Sequence, residues 1–450
     1  MKMIYLTFLA LFAVLLGTTA SNAQARRVFP YDYKTDDLPN GLRLVTVPTD
    51  YPNLVAMYVV VSAGSRNEVE AGKSGYAHFF EHLMFRGSEN FTPAQRDEIL
   101  KKAGAASNAY TTDDRTVFHA TFAKEDLDQI MRVQSDAFLR LKYAQPEFKT
   151  EALAVLGEYN KNSASPVFKM YEVLRETAFQ KHTYSHTTMG YIKDIEDYPN
   201  QYDYSLKFWN RFYRPEYATL VVVGDVKPEE VLKLANKYFG EWKHGDYKPE
   251  IPVEPAQDAP RERHIDWTAP SLPYVMVAYR APAYSDVEKD KAALDLLGVI
   301  AFGENSDIYQ KLVLKEQKVD FVGADAENHV NPELFTVTAR IKNEAETETV
   351  KNEIISTFKR YSTEPVPQQQ LDQTRSRLRY GFALSMNSSN AIADTLAPFI
   401  ALERTPATID KLFALYDSIT PRDLQRIAAQ YFADNNRTVI TLATKKGDAK

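Results

Sequence analysis

The segment "KPEIPVEPAQDAPRER", residues 248–263, limits the fold more than any other stretch of the chain. Pro249, Pro252, Pro255 and Pro260 disfavour helix and central strand and favour an extended connection. This connection leaves two stretches of similar size on either side, and the two carry related patterns. "RFYRPEYATLVVVG" starts at Arg211 and "QYFADNNRTVITLA" at Gln430, 219 residues later. In each, a helix ends in an aromatic pair, a short polar turn follows, and Thr219 or Thr438 leads into an apolar strand. A repeat of that length means two related domains rather than a solenoid.

Within each half, apolar runs of strand length alternate with helical patterns. "GLRLVTVP" and "LVAMYVVVSAG" are Val-rich and bounded by Gly or Pro, as strands are. "KEDLDQIMRVQSDAFLRL" repeats Leu127, Ile130, Met131, Val133, Ala137, Phe138 and Leu141 at helical spacing. "ATLVVVGDVKPEEVLKLANKYFGEW" reads as a buried strand, a turn at Gly224-Asp225 and an amphipathic helix. Pro228, Glu229 and Glu230 suit the first turn of that helix. Mixed elements in both halves point to an α/β or α+β fold with helices packed on a sheet.

The 450 residues are 44% hydrophobic and 25% charged, ordinary for a globular chain, with a net charge of −6. No basic run with interleaved aromatics marks a nucleic-acid partner. The chain has no cysteine, which excludes disulfides, thiolate metal sites and cysteine nucleophiles. The first residues, "MKMIYLTFLALFAVLLGTTASNAQARR", place Lys2 before an apolar stretch from Ile4 to Leu16, with Ala23 and Ala25 in an Ala-x-Ala tail. That is the layout of a cleaved signal peptide over residues 1–25, and the apolar stretch is too short to span a bilayer. An exported, periplasmic, bacterial protein with no stable membrane insertion after cleavage is expected, the alternative being an uncleaved anchor.

"GYAHFFEHLMFRG" carries the chemistry. Residues four apart share a helix face, so His78 and His82 can reach one ion, and Glu81 points near that ion without having to bind it. Ser74 is a good N-cap and Gly87 a good stop, predicting about three helical turns. Phe79, Phe80, Leu83 and Met84 are left to be buried. H-x-x-E-H arises by chance on the order of once in a hundred such chains; two packed core histidines are the plain alternative. His182 and His186 are also four apart, but Thr, Ser and Gly around them favour a loop. His119, in "TVFHATF", fits a strand. There is no P-loop, dinucleotide turn or G-x-S-x-G elbow.

H-x-x-E-H is the inverzincin order, and the chain resembles the pitrilysin/insulinase family, in particular its short subfamily that includes mitochondrial processing peptidase. The resemblance is strong from about Asp36 to Trp242 and looser beyond. It rests also on "TEALAVLGEYNKN", "SNAYTTDDRTVF", "HTYSHTTMGYIKDI" and "FYRPEYATLVVVGDV". It implies an α+β fold of two homologous domains, each a mostly antiparallel sheet flanked by helices. The expected boundaries are 30–245 for a zinc-peptidase domain, 246–263 for the linker and 264–445 for an inactive homologous domain.

The same resemblance implies a third zinc ligand at Glu158, 76 residues after His82, with Glu151 seven residues earlier on the same helical face. His78, His82 and Glu158 would then bind one Zn²⁺, and Glu81 would be the general base. Glu151 would orient a ligand, while Asn108 and Ala109 would lie where an extended peptide is held as an added strand.

The second half contains only His264 and His329, at no useful spacing for a second site. Where the family often carries a substrate-contacting Arg and Tyr, this chain has about Val313 and Phe321. Phe321 has no hydroxyl to donate to a peptide carbonyl or an oxyanion. The expectation is a zinc endopeptidase for short or unfolded peptides. It would pair with a homologous chain that carries the Arg/Tyr pair and lacks the zinc motif. A non-catalytic binding or scaffold subunit is the competing class, and a zinc-dependent amidase a third reading. A His/His/Glu set accepts zinc, manganese or cobalt.

Overall fold

A strand covered on both faces shows no polar alternation, and "LVAMYVVV" has none. It forms β3 (Leu54–Val61), buried at seven consecutive positions in the computed structural model, which describes residues 27–445. The signal-peptide assignment to residues 1–25 lies outside the described residues. Among those that are described, no helix is long and apolar enough to cross a membrane.

The other strands of the first half are β1 (Lys34–Asp37), β2 (Arg43–Pro48), β4 (Ala106–Thr111), β5 (Thr116–Ala123) and β6 (Ala218–Gly224). They form a six-stranded sheet in the order β1-β2-β6-β3-β5-β4. The second half contributes β7 (Arg261–Trp267), β8 (Tyr274–Arg280), β9 (Val319–Asp325), β10 (Leu334–Ile341) and β11 (Arg437–Thr444), in the order β7-β11-β8-β10-β9. Leaving β1 aside, both sheets run first, fifth, second, fourth, third in chain order. In each, only the first and fifth strands are parallel, with Arg43 opposite Thr219 and Arg261 opposite Thr438. The repeat seen around Thr219 and Thr438 therefore marks the closing strand of two sheets with one topology. β7 starts at Arg261, inside the segment read as linker, directly after Pro260, which has no N–H to offer a ladder.

Each half covers one face of its sheet with its own helices and the other face with a helix from its counterpart. Alternate residues of the first sheet, among them Leu44, Met57, Val59, Leu220 and Val222, meet helices of the first half. The opposite face, with Val45, Ala56, Tyr58, Val60 and Val221, packs on helix Ser389–Glu403 through Ile392, Leu396 and Ile400. Reciprocally, Met276, Ala278, Ile440 and Leu442 of the second sheet lie on helix Pro166–Ala178 of the first half, through Met170, Leu174 and Ala178. The Pro-rich connection is also fastened. Glu254 accepts hydrogen bonds from the backbone N–H groups of Gln180, Lys181 and His182 at 2.8, 2.7 and 2.9 Å.

Candidate metal centre

"YAHFFEHL" forms helix Tyr76–Leu83, which buries Tyr76, Ala77, Phe79, Phe80 and Leu83. Phe79 stacks on Tyr198 with ring centres 4.6 Å apart, and Phe80 meets Tyr213 at 4.7 Å. These contacts leave His78, Glu81 and His82 along the remaining, half-buried stripe.

The helix is shorter than the three turns expected and is capped differently. Its N-cap is Gly75 at φ +82°, where an added Cβ would lie 2.3 Å from the Met189 carbonyl oxygen. Ser74 instead bonds Asp194 at 2.6 Å and accepts from the Tyr191 N–H at 2.8 Å. The cap comes from the buried Glu68 carboxylate, which accepts from Gly75 N–H at 2.5 Å and Ala77 N–H at 2.7 Å. A carboxylate at a helix N-terminus satisfies orphan donors and suits the dipole there. The helix ends at Leu83 with Met84 as C-cap, before Gly87 is reached.

Glu158 and Glu151 both project from helix Gln145–Asn162, which packs on the motif helix. The Nε2 atoms of His78 and His82 are 3.3 Å apart, and Glu158 Oε2 is 3.7 Å from the first and 3.4 Å from the second. Among the described residues these three are the group of His and carboxylate side chains whose ligand atoms converge, all within 4.8 Å. A tetrahedral ion with bonds of about 2.0–2.1 Å has ligand–ligand edges of roughly 3.3–3.4 Å, so the triangle fits zinc closely.

The two rings differ in charge: burial opposes the charge on His82, but Glu151, Glu81 and Glu158 outweigh it and raise the ring above its ordinary value, so His82 gives up a proton to bind an ion. Burial, with His82 as a neighbour, pushes His78 down to about 3, so its ring is neutral and its Nε2 lone pair available. His82 sits 2.8 Å from Glu151 through Nδ1, an arrangement that turns Nε2 toward the other two ligands. Burial works against the charge on Glu151, but the His82 ring and the Arg86 guanidinium outweigh it and hold the carboxyl below its usual range. Glu81 does not join the triangle. Burial raises its carboxyl above the ordinary glutamate value, and Thr111 Oγ1 donates to its Oε2 at 2.6 Å.

Asn108 and Ala109 lie in the middle of β4, opposite His119 and Phe118 of β5; Asn108 is exposed and Ala109 buried. Their side chains take opposite faces, and what they share is the backbone of the last strand of the sheet. His119 is on β5, as its alternation predicts, stacked on Tyr58 at 4.9 Å. His182 and His186 are buried and flank the single turn Thr183–Ser185; neither is among the converging ligand atoms. Val313 lies in the π-helical turn Gln310–Lys315, and Phe321 on β9 is 39% exposed.

Sequence reasoning missed Glu68, Arg86 and Thr111. Thr111 had a usable signal: period-two alternation places it on the same face as buried Ala109, toward the motif helix.

Two family models match in tandem, "Insulinase (Peptidase family M16)" over residues 43–191 and "Peptidase M16 inactive domain" over residues 201–378. The chain belongs to the M16 pitrilysin/insulinase peptidase family. It is 29% identical over 441 residues to the zinc protease PqqE of Helicobacter pylori, a match covering 96% of this chain and 98% of that protein. It is 31% identical over 274 residues to the mitochondrial-processing peptidase subunit beta of Caenorhabditis elegans, covering 61% of this chain and 58% of the relative. The crystal structure of a protease from Helicobacter pylori superposes with a TM-score of 0.85 at 27% identity, covering 92% of this chain and 100% of that one. The periplasmic protease PqqL from Escherichia coli shares the fold, with a TM-score of 0.75 at 18% identity; this chain covers 48% of its length.

Proposed function

We propose that this chain is a zinc-dependent endopeptidase that hydrolyses short or unfolded peptides, with His78, His82 and Glu158 holding the ion. The observation that carries the reading is the convergence of three ligand atoms within 4.8 Å beside a half-buried carboxylate, Glu81, that is not one of them. Zinc, when bound, supplies Lewis acidity, polarising a carbonyl and bringing the pKa of water to about 7.

The chain's own residues do the rest. Glu81 takes the proton of the attacking water and delivers it to the leaving amine. Glu151 keeps the His82 ring turned toward the ion. The backbone of β4 at Asn108 and Ala109 takes the peptide as an added strand, so the substrate is read through its main chain. The zinc domain is assigned to residues 30–245 and the inactive domain to 264–445, joined by 246–263.

A second, homologous chain without the zinc motif would supply the Arg/Tyr pair missing at Val313 and Phe321 and close a chamber over the site. The match to one subunit of a processing peptidase, and to half the length of PqqL, supports a second unit of this kind. An exported, periplasmic location agrees with the layout of residues 1–25 and with PqqL being named a periplasmic protease.

The test is cleavage of an unstructured fluorogenic peptide by the zinc-loaded chain, alone and with a homologous chain lacking the motif. Chelation is expected to abolish turnover and added zinc to restore it. Turnover that survives complete metal removal overturns the reading. A chain that cleaves alone, at a rate no partner raises, overturns the two-chain chamber only.

A further inference from the structure

We propose that Thr111 is the positioning residue of the general base: its hydroxyl fixes one oxygen of Glu81 so that the other faces the reacting water. The inference rests on the peptidase reading above and names a residue that reading does not use.

The geometry is specific. Thr111 is the last residue of β4, at the mouth of the hairpin to β5, where the Thr112 N–H donates to the Arg115 carbonyl at 2.8 Å. Its Oγ1 donates to Glu81 Oε2 at 2.6 Å, within the short range of a charge-assisted O–H···O⁻ bond. The other acceptor within reach of the Thr111 hydroxyl, Thr116 Oγ1, is 3.5 Å away, at the limit of a hydrogen bond, and gives its own proton to the Ala63 carbonyl at 2.9 Å. Distance and charge therefore favour the carboxylate as the acceptor of the Thr111 proton. Glu81 extends from a short helix over a half-buried floor, and its terminal torsion is broad and two-fold unless something pins it. Thr111 pins it through one of its two oxygens, Oε2.

The placement has a second consequence. Thr111 is two residues beyond Ala109 on the strand proposed to hold the peptide, so one element carries both the substrate backbone and the anchor of the base. A peptide seated on β4 and the oxygen that attacks it are thus set in one register. Geometry held in this way is where supporting groups gain rate without touching substrate.

The test compares Thr111→Val, which keeps the shape and removes the donor, with Thr111→Ser, which keeps the donor, in the zinc-loaded full chain. Thr111→Val is expected to lower kcat by about 10–100-fold, with KM within about three-fold and zinc content unchanged; Thr111→Ser is expected to recover most of the loss. A crystal structure of the Thr111→Val protein, which needs no turnover, is expected to show the Glu81 carboxylate in more than one orientation. Wild-type kcat in Thr111→Val, an equal loss in Thr111→Ser, loss of zinc in either, or a single unchanged Glu81 rotamer overturns the proposal. Failure of the peptidase reading looks different: Glu81→Gln would then cleave like the wild type.

Discussion

The two halves share a strand order, a parallel closing pair and an Arg–Thr register, yet among the described residues only the first brings two histidines and a carboxylate together. On the proposed reading the sheet is scaffold in both, and the chemistry resides in a two-turn helix and one carboxylate from a second helix. The corresponding hairpin of the second half, β9 to β10, does a different job. His329, in its loop, bonds Asp114 at 3.1 Å, and the Val330 N–H donates to the same carboxylate at 3.1 Å. Asp113 and Asp114 belong to the β4–β5 turn, so the equivalent hairpins of the two halves meet tip to tip. Arg175 joins them, 2.6 Å from Asp113 and 3.4 Å from Glu333. One hairpin edges the site, and its counterpart braces it.

The largest contrast is in metal affinity. His78→Ala, His82→Ala or Glu158→Ala should reduce zinc retention by at least about 10³-fold and abolish cleavage, since each removes one of the three proposed ligands. His329→Gln should leave one zinc per chain. Metal analysis after dialysis distinguishes them, and zinc loss in His329→Gln would break the division of labour between the halves.

The brace should show in stability against pH. Burial opposes the charge on His329, but Asp114, Glu333 and Asp113 outweigh it and raise its pKa to about 9 from an ordinary 6.5. Arg175, among the same carboxylates, does not cancel that. A raised folded-state value means the contribution is complete below about pH 6.5 and is lost as pH rises through 9. The loss is on the order of 3 kcal/mol. Thermal melts between pH 6 and 9.5 should fall in the wild type and fall less steeply in His329→Gln. Parallel curves would remove the brace from the account.

A smaller effect is expected at Glu151. Glu151→Ala frees the His82 ring and leaves Arg86 without its carboxylate, and should weaken zinc affinity by about 10–100-fold while the fold persists. Competition with a chromophoric chelator measures this, and unchanged affinity would make Glu151 a partner of Arg86 alone.

Much of this was legible in the sequence because it is local or regularly spaced. The four-residue interval of His78 and His82 and the seven-residue interval of Glu151 and Glu158 become shared faces as soon as the chain is helical, although the family resemblance, not spacing, was what singled out Glu158 and Glu151. The duplication showed at the closing strands, where Thr219 and Thr438 occupy one register. What was not legible depends on contacts between distant segments. Ser74 reads as the better cap by residue type, but Gly75 is the residue that fits the left-handed turn against Met189, and Glu68 reaches across to take the N–H groups. "PVFKMYEVLRETA" announces an amphipathic helix, yet nothing in its pattern says that its apolar face belongs to the other half's sheet. Arg86 and Thr111 become meaningful only when Glu151 and Glu81 are placed beside them.

The most direct test of the central claim, that the first half holds a zinc-centred site with Glu81 as its base, is the turnover of Glu81→Gln measured with its zinc content. One zinc per chain, as in the wild type, is expected, with cleavage of an unstructured peptide reduced by about 10²–10⁴-fold. Full zinc with undiminished cleavage would contradict it.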